Sequence, residues 1–140
     1  MLSSARAPRH AAGGNMQIKK YFLIFAFCAV SVIALLYGVS PRWFAATFLD
    51  VQELDLDLAH ILRAVMGLYL ALGCFWLYAA FDPRYTNTAV LTTAVFSGGL
   101  VAGRIVSLFA DGKPAPLLLL YVAMELSLVP LAIWVWRRPD

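Results

Sequence analysis

The sequence contains few charged residues for its length. Asp, Glu, Lys and Arg make up 14% of the 140 residues, whereas hydrophobic residues make up 62%. Soluble domains have about 25% charged and about 45–50% apolar residues. A chain this short cannot enclose such an excess, because small domains bury only about 60–70% of their unfolded surface. The remaining apolar surface therefore predicts contact with lipid.

Cysteines and clustered basic residues are also scarce. Cys28 and Cys74 both lie within apolar runs, without a CxxC pair or a histidine at metal-ligand spacing. Neither a disulfide framework nor a metal site is therefore predicted. The formal net charge of +3 does not indicate a nucleic-acid partner, because Lys and Arg occur singly or in pairs beside apolar runs. A nucleic-acid binder would gather them on one solvated face.

The sequence also lacks a recognisable catalytic motif. It has no nucleophile–base pair, metal-ligand set, phosphate-binding loop or acidic pair at a water-accessible spacing. We therefore expect that the protein is not an enzyme and has no cofactor. Only His60 and the acidic residues of the longest loop could serve chemistry.

Four apolar segments are long enough to cross a bilayer as helices. About 20 apolar residues span a hydrocarbon core of about 30 Å. The predicted spans are residues 21–39, 58–81, 86–109 and 116–136. The predicted fold class is all-α: a polytopic membrane protein whose four-transmembrane-helix bundle covers residues 20–138. Two lysines before the first span also fit a signal peptide, but the apolar run exceeds the usual ~7–15 residues and no clear cleavage site follows.

The segments outside the spans differ in character. Residues 1–19 are predicted to be a disordered cytoplasmic tail, and residues 1–15 to be dispensable for the fold, because they are mostly small or polar without apolar periodicity. Between the first two spans, Trp43, Phe44 and Phe48 recur at helical spacing. This spacing predicts a short external helix that lies in the membrane interface.

The positions of basic residues predict the orientation. One side of the predicted membrane carries Arg6, Arg9, Lys19, Lys20, Arg84, Arg137 and Arg138. Only Arg42 and Lys113 lie in the opposite loops. Because cytoplasmic loops are enriched in Lys and Arg, both termini are predicted to be cytoplasmic. The expected location is the inner (plasma) membrane, with residues 40–57 outside.

Three charged residues fall inside predicted spans, namely Arg63, Arg104 and Glu125. A charge at the bilayer centre costs about 2.5–3.5 kcal/mol, so such residues usually face the bundle interior and pair. All three lie in the half of the bundle near the external loops, where we expect them to meet. The candidate cluster for ligand binding or ion pairing is Arg63, Arg104, Glu125, His60, Asp111 and Tyr121.

Helical phase predicts which faces pack. Small and polar residues are favoured at helix interfaces in lipid, because they allow close approach and interhelical hydrogen bonds. On the second span, the face predicted to pack inward is His60, Arg63, Ala64, Gly67, Ala71, Cys74 and Tyr78. The opposite face, which includes Tyr69 and Trp76, is predicted to contact lipid. The predicted helix-packing glycines are Gly67, Gly99 and Gly103.

The charged cluster has two open interpretations. It is either a satisfied ion network that holds three helices together or a site for an anionic or polar ligand, such as a lipid phosphate or a quinone carbonyl. The second interpretation depends on charge balance, because two Arg against one Glu leave a net positive charge. His60 could carry a proton or simply lie at the water interface.

The order of several motifs resembles a known family. The motifs are Arg63, Gly67 and Tyr69 in the second span, Gly103-Arg104 in the third, the Asp111-Gly112 turn, and Glu125 in the fourth. This order resembles, over residues 20–138, a bacterial family of four-span membrane proteins called domain of unknown function 4345, similar in layout to DoxX-like proteins. The resemblance implies a fold and a membrane location but no activity.

Two function classes are favoured over an enzyme. The first is a structural or accessory component of a larger membrane complex or a homo-oligomer, which suits the short loops. The second is a binder or carrier of a lipid, quinone or small anion at the Arg/Glu cluster, and membrane lipids are expected partners in both. A carrier would need a polar path, which Thr86, Thr93 and Ser97 could line. Hydroxyl bonding to the helix backbone explains these three residues equally well.

Overall fold

The computed structural model describes residues 9–139, which form five α-helices. These are α1 (Arg9–Gly38), α2 (Pro41–Phe48), α3 (Leu56–Ala79), α4 (Pro83–Ala110) and α5 (Pro116–Trp136). The four longer helices are long and apolar enough to cross a membrane, α1 over Gly13–Gly38. The predicted all-α, four-span fold is therefore confirmed, and the chain is a multi-pass membrane protein.

Successive long helices run in opposite directions, so the bundle has two distinct ends. The loop end carries α2, the segment 49–55 and the turn 111–115, and the termini end carries the α3–α4 turn and both ends of the described chain. A proline occupies the first turn of α2, α4 and α5, where its missing N–H costs nothing. The Asp82 carboxylate accepts a hydrogen bond from the backbone N–H of Arg84 and so caps α4.

The first helix begins earlier than the sequence predicts. Part of the segment expected to be a disordered tail is helical, because α1 starts at Arg9; residues 1–8 lie outside the described part of the chain. Met16, Gln17, Lys19 and Lys20 are good helix formers, whereas Gly13, Gly14 and Asn15 before them are poor ones, so propensity accounts only for the part of the extension nearest the span. Lys19 is fully buried and donates a hydrogen bond of 2.7 Å to Asn87 Oδ1. The last turn of the predicted tail therefore packs on the bundle.

The predicted short helix after the first span is α2. Phe44 is buried and packs edge-on against Tyr37 of α1, with ring centroids 5.5 Å apart. On the other side of α2, Trp43 is exposed and contacts Phe48 edge-on. One apolar side of α2 therefore covers the loop end of the bundle.

Aromatic rings join α3 to α4. The ring of Phe96 on α4 packs edge-on against Tyr69 and Trp76 of α3, with centroids 4.9 and 5.6 Å apart. The Trp76 indole N–H donates to Thr92 Oγ1 at 3.1 Å, so its one polar group is satisfied in an apolar environment. The helix contacts are most extensive between α1 and α3 and between α4 and α5. The aromatic rings of α3 and α4 join these two helix pairs to each other.

The packing face of α3 is opposite to the predicted one. The face that was expected inside is exposed throughout: His60, Arg63, Ala64, Gly67, Ala71, Cys74 and Tyr78. The inward stripe, fully or partly buried, is Ala59, Leu62, Met66, Tyr69, Gly73, Trp76 and Ala80. This stripe has the alternating three- and four-residue spacing of a helix seam. Bulky aromatic rings gain more from close packing than small residues do, which explains why they, and not the small and polar face, turn inward.

Two other glycines provide the close approach between α1 and α3. A Cβ on Gly38 would clash with Met66, and a Cβ on Gly73 would lie 3.0 Å from Val30 Cγ1. By contrast, a Cβ would meet no heavy atom of another residue within 4 Å at any predicted packing position: Gly67, Gly99 or Gly103. Close helix packing therefore depends on glycines that the sequence analysis did not single out.

Candidate functional site

Arg104 and Glu125 form an ion pair between α4 and α5 near the loop end. Arg104 Nε donates to Glu125 Oε2 at 2.7 Å, and Nη2 donates to Oε1 at 3.0 Å. The two side chains are only 25% and 11% exposed. Two-point geometry between guanidinium and carboxylate is a strong form of charge-assisted hydrogen bond. Both Glu125 oxygens are thus occupied, whereas Arg104 Nη1 makes no hydrogen bond within residues 9–139.

Three buried tyrosines surround the guanidinium of Arg104. Tyr37 and Tyr69 pack edge-on with ring centroids 5.9 Å apart. The Tyr121 ring centroid lies 5.9 Å from Arg104 Cζ. All three tyrosines lie near Arg104, since the four residues line one cavity. Four helices, α1, α3, α4 and α5, thus bring polar groups to one region of an apolar bundle.

A cavity of about 410 Å³, here called the tyrosine cavity, joins these groups. Its polar lining consists of Tyr37, Tyr69, Arg104 and Tyr121. Its apolar walls are Phe44, Leu49, Leu62, Val65, Leu100 and Leu118, with Gly99 and Gly103 completing the lining. Small-molecule sites are typically cavities of about 300–1,000 Å³, mostly apolar with a few polar groups. The tyrosine cavity has this size and this character.

The hydroxyl of Tyr121 is buried without a hydrogen-bond partner in the part of the chain that the structure describes. Its side chain is 4% exposed. A buried polar group left unsatisfied costs about 1–3 kcal/mol. Tyr121 lines the tyrosine cavity, but its hydroxyl oxygen has less than 1 Å² of accessible area, so an atom held in the cavity would contact its ring.

A second cavity of about 240 Å³ lies on the other side of the ion pair. Its lining is aliphatic or aromatic apart from Glu125 and Ser127, and includes Phe25, Ala29, Ile33, Met124, Leu128 and Leu131. Leu100 lines both cavities. The Arg104–Glu125 pair and Leu100 therefore separate a polar-lined cavity from an apolar one.

A protein-family model matches most of the chain. The family model described as domain of unknown function (DUF4345) matches residues 18–136. The chain belongs to this family. Membership confirms the resemblance that the motif order indicates, including its extent, and it carries the fold but no activity. Neither curated proteins nor solved structures gave a match.

The structure brings together half of the cluster that the sequence predicts for this DUF4345 protein. Arg104, Glu125 and Tyr121 meet at the tyrosine cavity. Arg63 and His60 are exposed on α3, and Arg63 forms no ion pair with any residue between 9 and 139. The aromatic seam of α3 is the physical reason, because turning that seam inward rotates Arg63 outward.

Asp111 also lies apart from the ion pair. It is exposed at the end of α4 and accepts a hydrogen bond of 2.6 Å from Ser107 Oγ. The charge of the site is therefore that of Arg104 and Glu125 alone, which sum to zero. The net positive charge expected from two arginines and one glutamate is not present there.

The sequence does not identify two of the three tyrosines. It predicts a lipid-facing position for Tyr69 and indicates no role for Tyr37. Tyr37 and Tyr121 lie in the loop-end half of their helices, whereas Tyr69 lies just past the middle of α3. Position along the span therefore gives no signal for all three, and only the rotation of α3 brings Tyr69 to the other two.

The threonines of α4 do not supply a polar path. Thr86 Oγ1 donates to the backbone oxygen of Ala79 at 2.9 Å, and Thr93 Oγ1 donates to that of Ala89, also at 2.9 Å. Both hydroxyl groups are thus used by helix carbonyl groups. Ser97 is buried beside them, so the polar groups of the site are concentrated near the loop end.

Proposed function

We propose that this protein binds a membrane-soluble amphiphile, a lipid or a quinone, with its head group in the tyrosine cavity. The observation that carries the proposal is the tyrosine cavity itself, whose mostly apolar walls carry Arg104 and three tyrosines. Glu125 uses only two of the five N–H groups of the Arg104 guanidinium. A ligand atom in the cavity that accepts from the remaining N–H groups would satisfy donors that otherwise stay unpaired in an apolar environment.

An ion pair that only holds helices together does not account for this arrangement. Such a pair needs neither a cavity of about 410 Å³ nor an unsatisfied phenol next to it. The tyrosine cavity is open to the surroundings of the bundle, so a membrane-soluble molecule can enter it. A bound molecule would gain dispersion contacts there, and residues from all five helices line the space that it would fill.

The adjoining apolar cavity suits the hydrocarbon part of the same ligand. A dry cavity of about 150 Å³ with aliphatic and aromatic walls can hold a small hydrocarbon. The second cavity, at about 240 Å³, is larger and has such walls. A ligand with its head in the tyrosine cavity would need to pass only Leu100 to place a chain segment there.

Native mass spectrometry of protein purified in nanodiscs tests the proposal. The wild type is expected to retain a lipid or quinone that survives mild activation. Gly103→Leu, at a glycine of the cavity lining, places a side chain at the cavity and should reduce this retention. Gly67→Leu, at an exposed glycine of α3 outside the lining, is the matched control and should retain the ligand fully. A wild-type protein that carries no small molecule under these conditions would contradict the proposal.

A second function, as a component of a larger membrane assembly, is supported by the exposed face of α3. Charged residues inside spans usually face protein rather than lipid, yet Arg63 is exposed there together with His60. A partner helix or a second copy of the chain would cover both. The same spectra would report such a partner by its mass, and Arg63→Leu should then release it; a monomer in both proteins would contradict this function.

A further inference from the structure

We infer that Glu125 restricts the tyrosine cavity to head groups that are uncharged and present a carbonyl-type acceptor. This inference rests on the proposed ligand-binding function and specifies its ligand class. It assigns Glu125 a role in selectivity, through its effect on Arg104, and not only a role in helix packing.

Charge balance is the first step. Arg104 is the one charged side chain among the described residues that line the tyrosine cavity. Its charge is matched by Glu125 through two hydrogen bonds of 2.7 and 3.0 Å. A phosphate or carboxylate in the cavity would add a negative charge without a counterion, close to a carboxylate that is 11% exposed. Burying an unmatched charge is costly, so anionic head groups are disfavoured.

Hydrogen-bonding capacity is the second step. Both Glu125 oxygens accept from Arg104. Arg104 lines the cavity, is a donor only, and keeps N–H groups that bond to no other residue between 9 and 139. The tyrosine hydroxyl groups of the lining can donate as well as accept. The lining therefore offers more donors than acceptors, and a carbonyl oxygen, which accepts two hydrogen bonds, is the complementary group.

Two membrane components carry such a carbonyl group, an ester-containing lipid and a quinone, and matched probes distinguish them. Delipidated protein in detergent is offered a long-chain fatty-acid methyl ester, the corresponding fatty acid and an isoprenoid quinone. The measurements are made at about pH 9, where a carboxyl group with a reference pKa of about 4.3 is ionised. The bound fraction of each probe is measured by native mass spectrometry. The ester and the acid share one chain, so their ratio reports the charge alone.

The wild type is expected to bind the ester or the quinone at least about tenfold more tightly than the fatty-acid anion. Glu125→Gln leaves Arg104 unmatched and should reverse this preference, so that the anion binds better than the ester. Glu53→Gln, at an exposed position of the 49–55 segment, is the control and should keep the wild-type ratio. The preference of the ester over the quinone, or the reverse, identifies the source of the carbonyl group.

Several results would overturn the inference. Equal or tighter binding of the fatty-acid anion by the wild type would overturn it and leave the proposed function standing. A folded Glu125→Gln protein with the wild-type ratio would also overturn it. Because the wild-type ratio needs no variant, it decides the question even where Glu125→Gln fails to fold. If the wild type binds none of the three probes, the proposed function itself fails and the inference fails with it.

Discussion

Arg104 and Glu125, 21 positions apart, are joined by two short hydrogen bonds across the α4–α5 contact. Arg63, which the sequence places at a similar depth, lies on the exposed face of α3. The bundle therefore contains one coupled pair of charges and one separate arginine. This distinction can be measured as a difference in energetic coupling.

A double-mutant cycle tests the pair. Glu125→Gln combined with Arg104→Met should cost less than the sum of the single changes by about 0.5–3 kcal/mol, as expected for residues in contact. The matched cycle with Arg63→Met should be additive within about 0.3–0.5 kcal/mol. Reversible unfolding in mixed micelles gives the free energies. Additivity for Arg104, or coupling for Arg63, would contradict the geometry described above.

The α1–α3 contact predicts opposite effects at two glycines. Gly38→Ala should destabilise the bundle by about 1–3 kcal/mol, because the new methyl group overlaps Met66 and forces repacking. Gly67→Ala meets no neighbour and should be neutral or stabilising by up to about 1 kcal/mol, since Ala favours helix. Thermal unfolding of both variants beside the wild type measures the difference. Equal destabilisation by the two changes would indicate that α3 packs through another face.

The orientation is tested by labelling with an impermeant thiol reagent. Cys28 and Cys74 are first replaced by Ser, and single cysteines are introduced as Asp50→Cys, Arg84→Cys or Lys113→Cys. If both termini are cytoplasmic, intact cells should be labelled at positions 50 and 113, and position 84 should react only after permeabilisation. Labelling of position 84 in intact cells would reverse the proposed orientation.

The α3–α4 turn predicts an unusually acidic carboxyl group. The Arg84 guanidinium and backbone N–H bond to Asp82 and hold the pKa of that carboxyl group well below its ordinary value. Because the native pKa is lowered, this contribution to stability is complete above the unfolded pKa of about 3.9. It is lost only as the pH falls through the lower native value. Carboxyl-carbon NMR titration should show the low pKa, and Arg84→Gln should raise it; an unchanged pKa would exclude the interaction.

The spans could be predicted from the sequence because their cause is local. Whether an apolar run is long enough to cross the bilayer depends on that run alone and not on neighbouring helices. The four predicted spans agree with α1, α3, α4 and α5 in number and order. The start of α1 differs partly because helix propensity continues past the end of the apolar run.

The packing faces could not be predicted in the same way, because hydropathy does not distinguish a lipid neighbour from a protein neighbour. Trp76 and Tyr69 look equally suited to either environment until Phe96 and Thr92 of α4 are placed beside them. The Arg104–Glu125 pair was predictable because α4 and α5 are consecutive helices, each with one charge in its loop-end half. The position of Arg63, apart from this pair, could be predicted only if the rotation of α3 about its axis were known. Aromatic packing decides that rotation.

The contact of Lys19 with Asn87 constrains the order of biosynthesis. The two residues are 68 positions apart, so the amino group of Lys19 has no Asn87 to bond while only the first two spans have been made. This hydrogen bond can form only after the third span has been made. The contact between α1 and α4 at the termini end is therefore completed late in insertion.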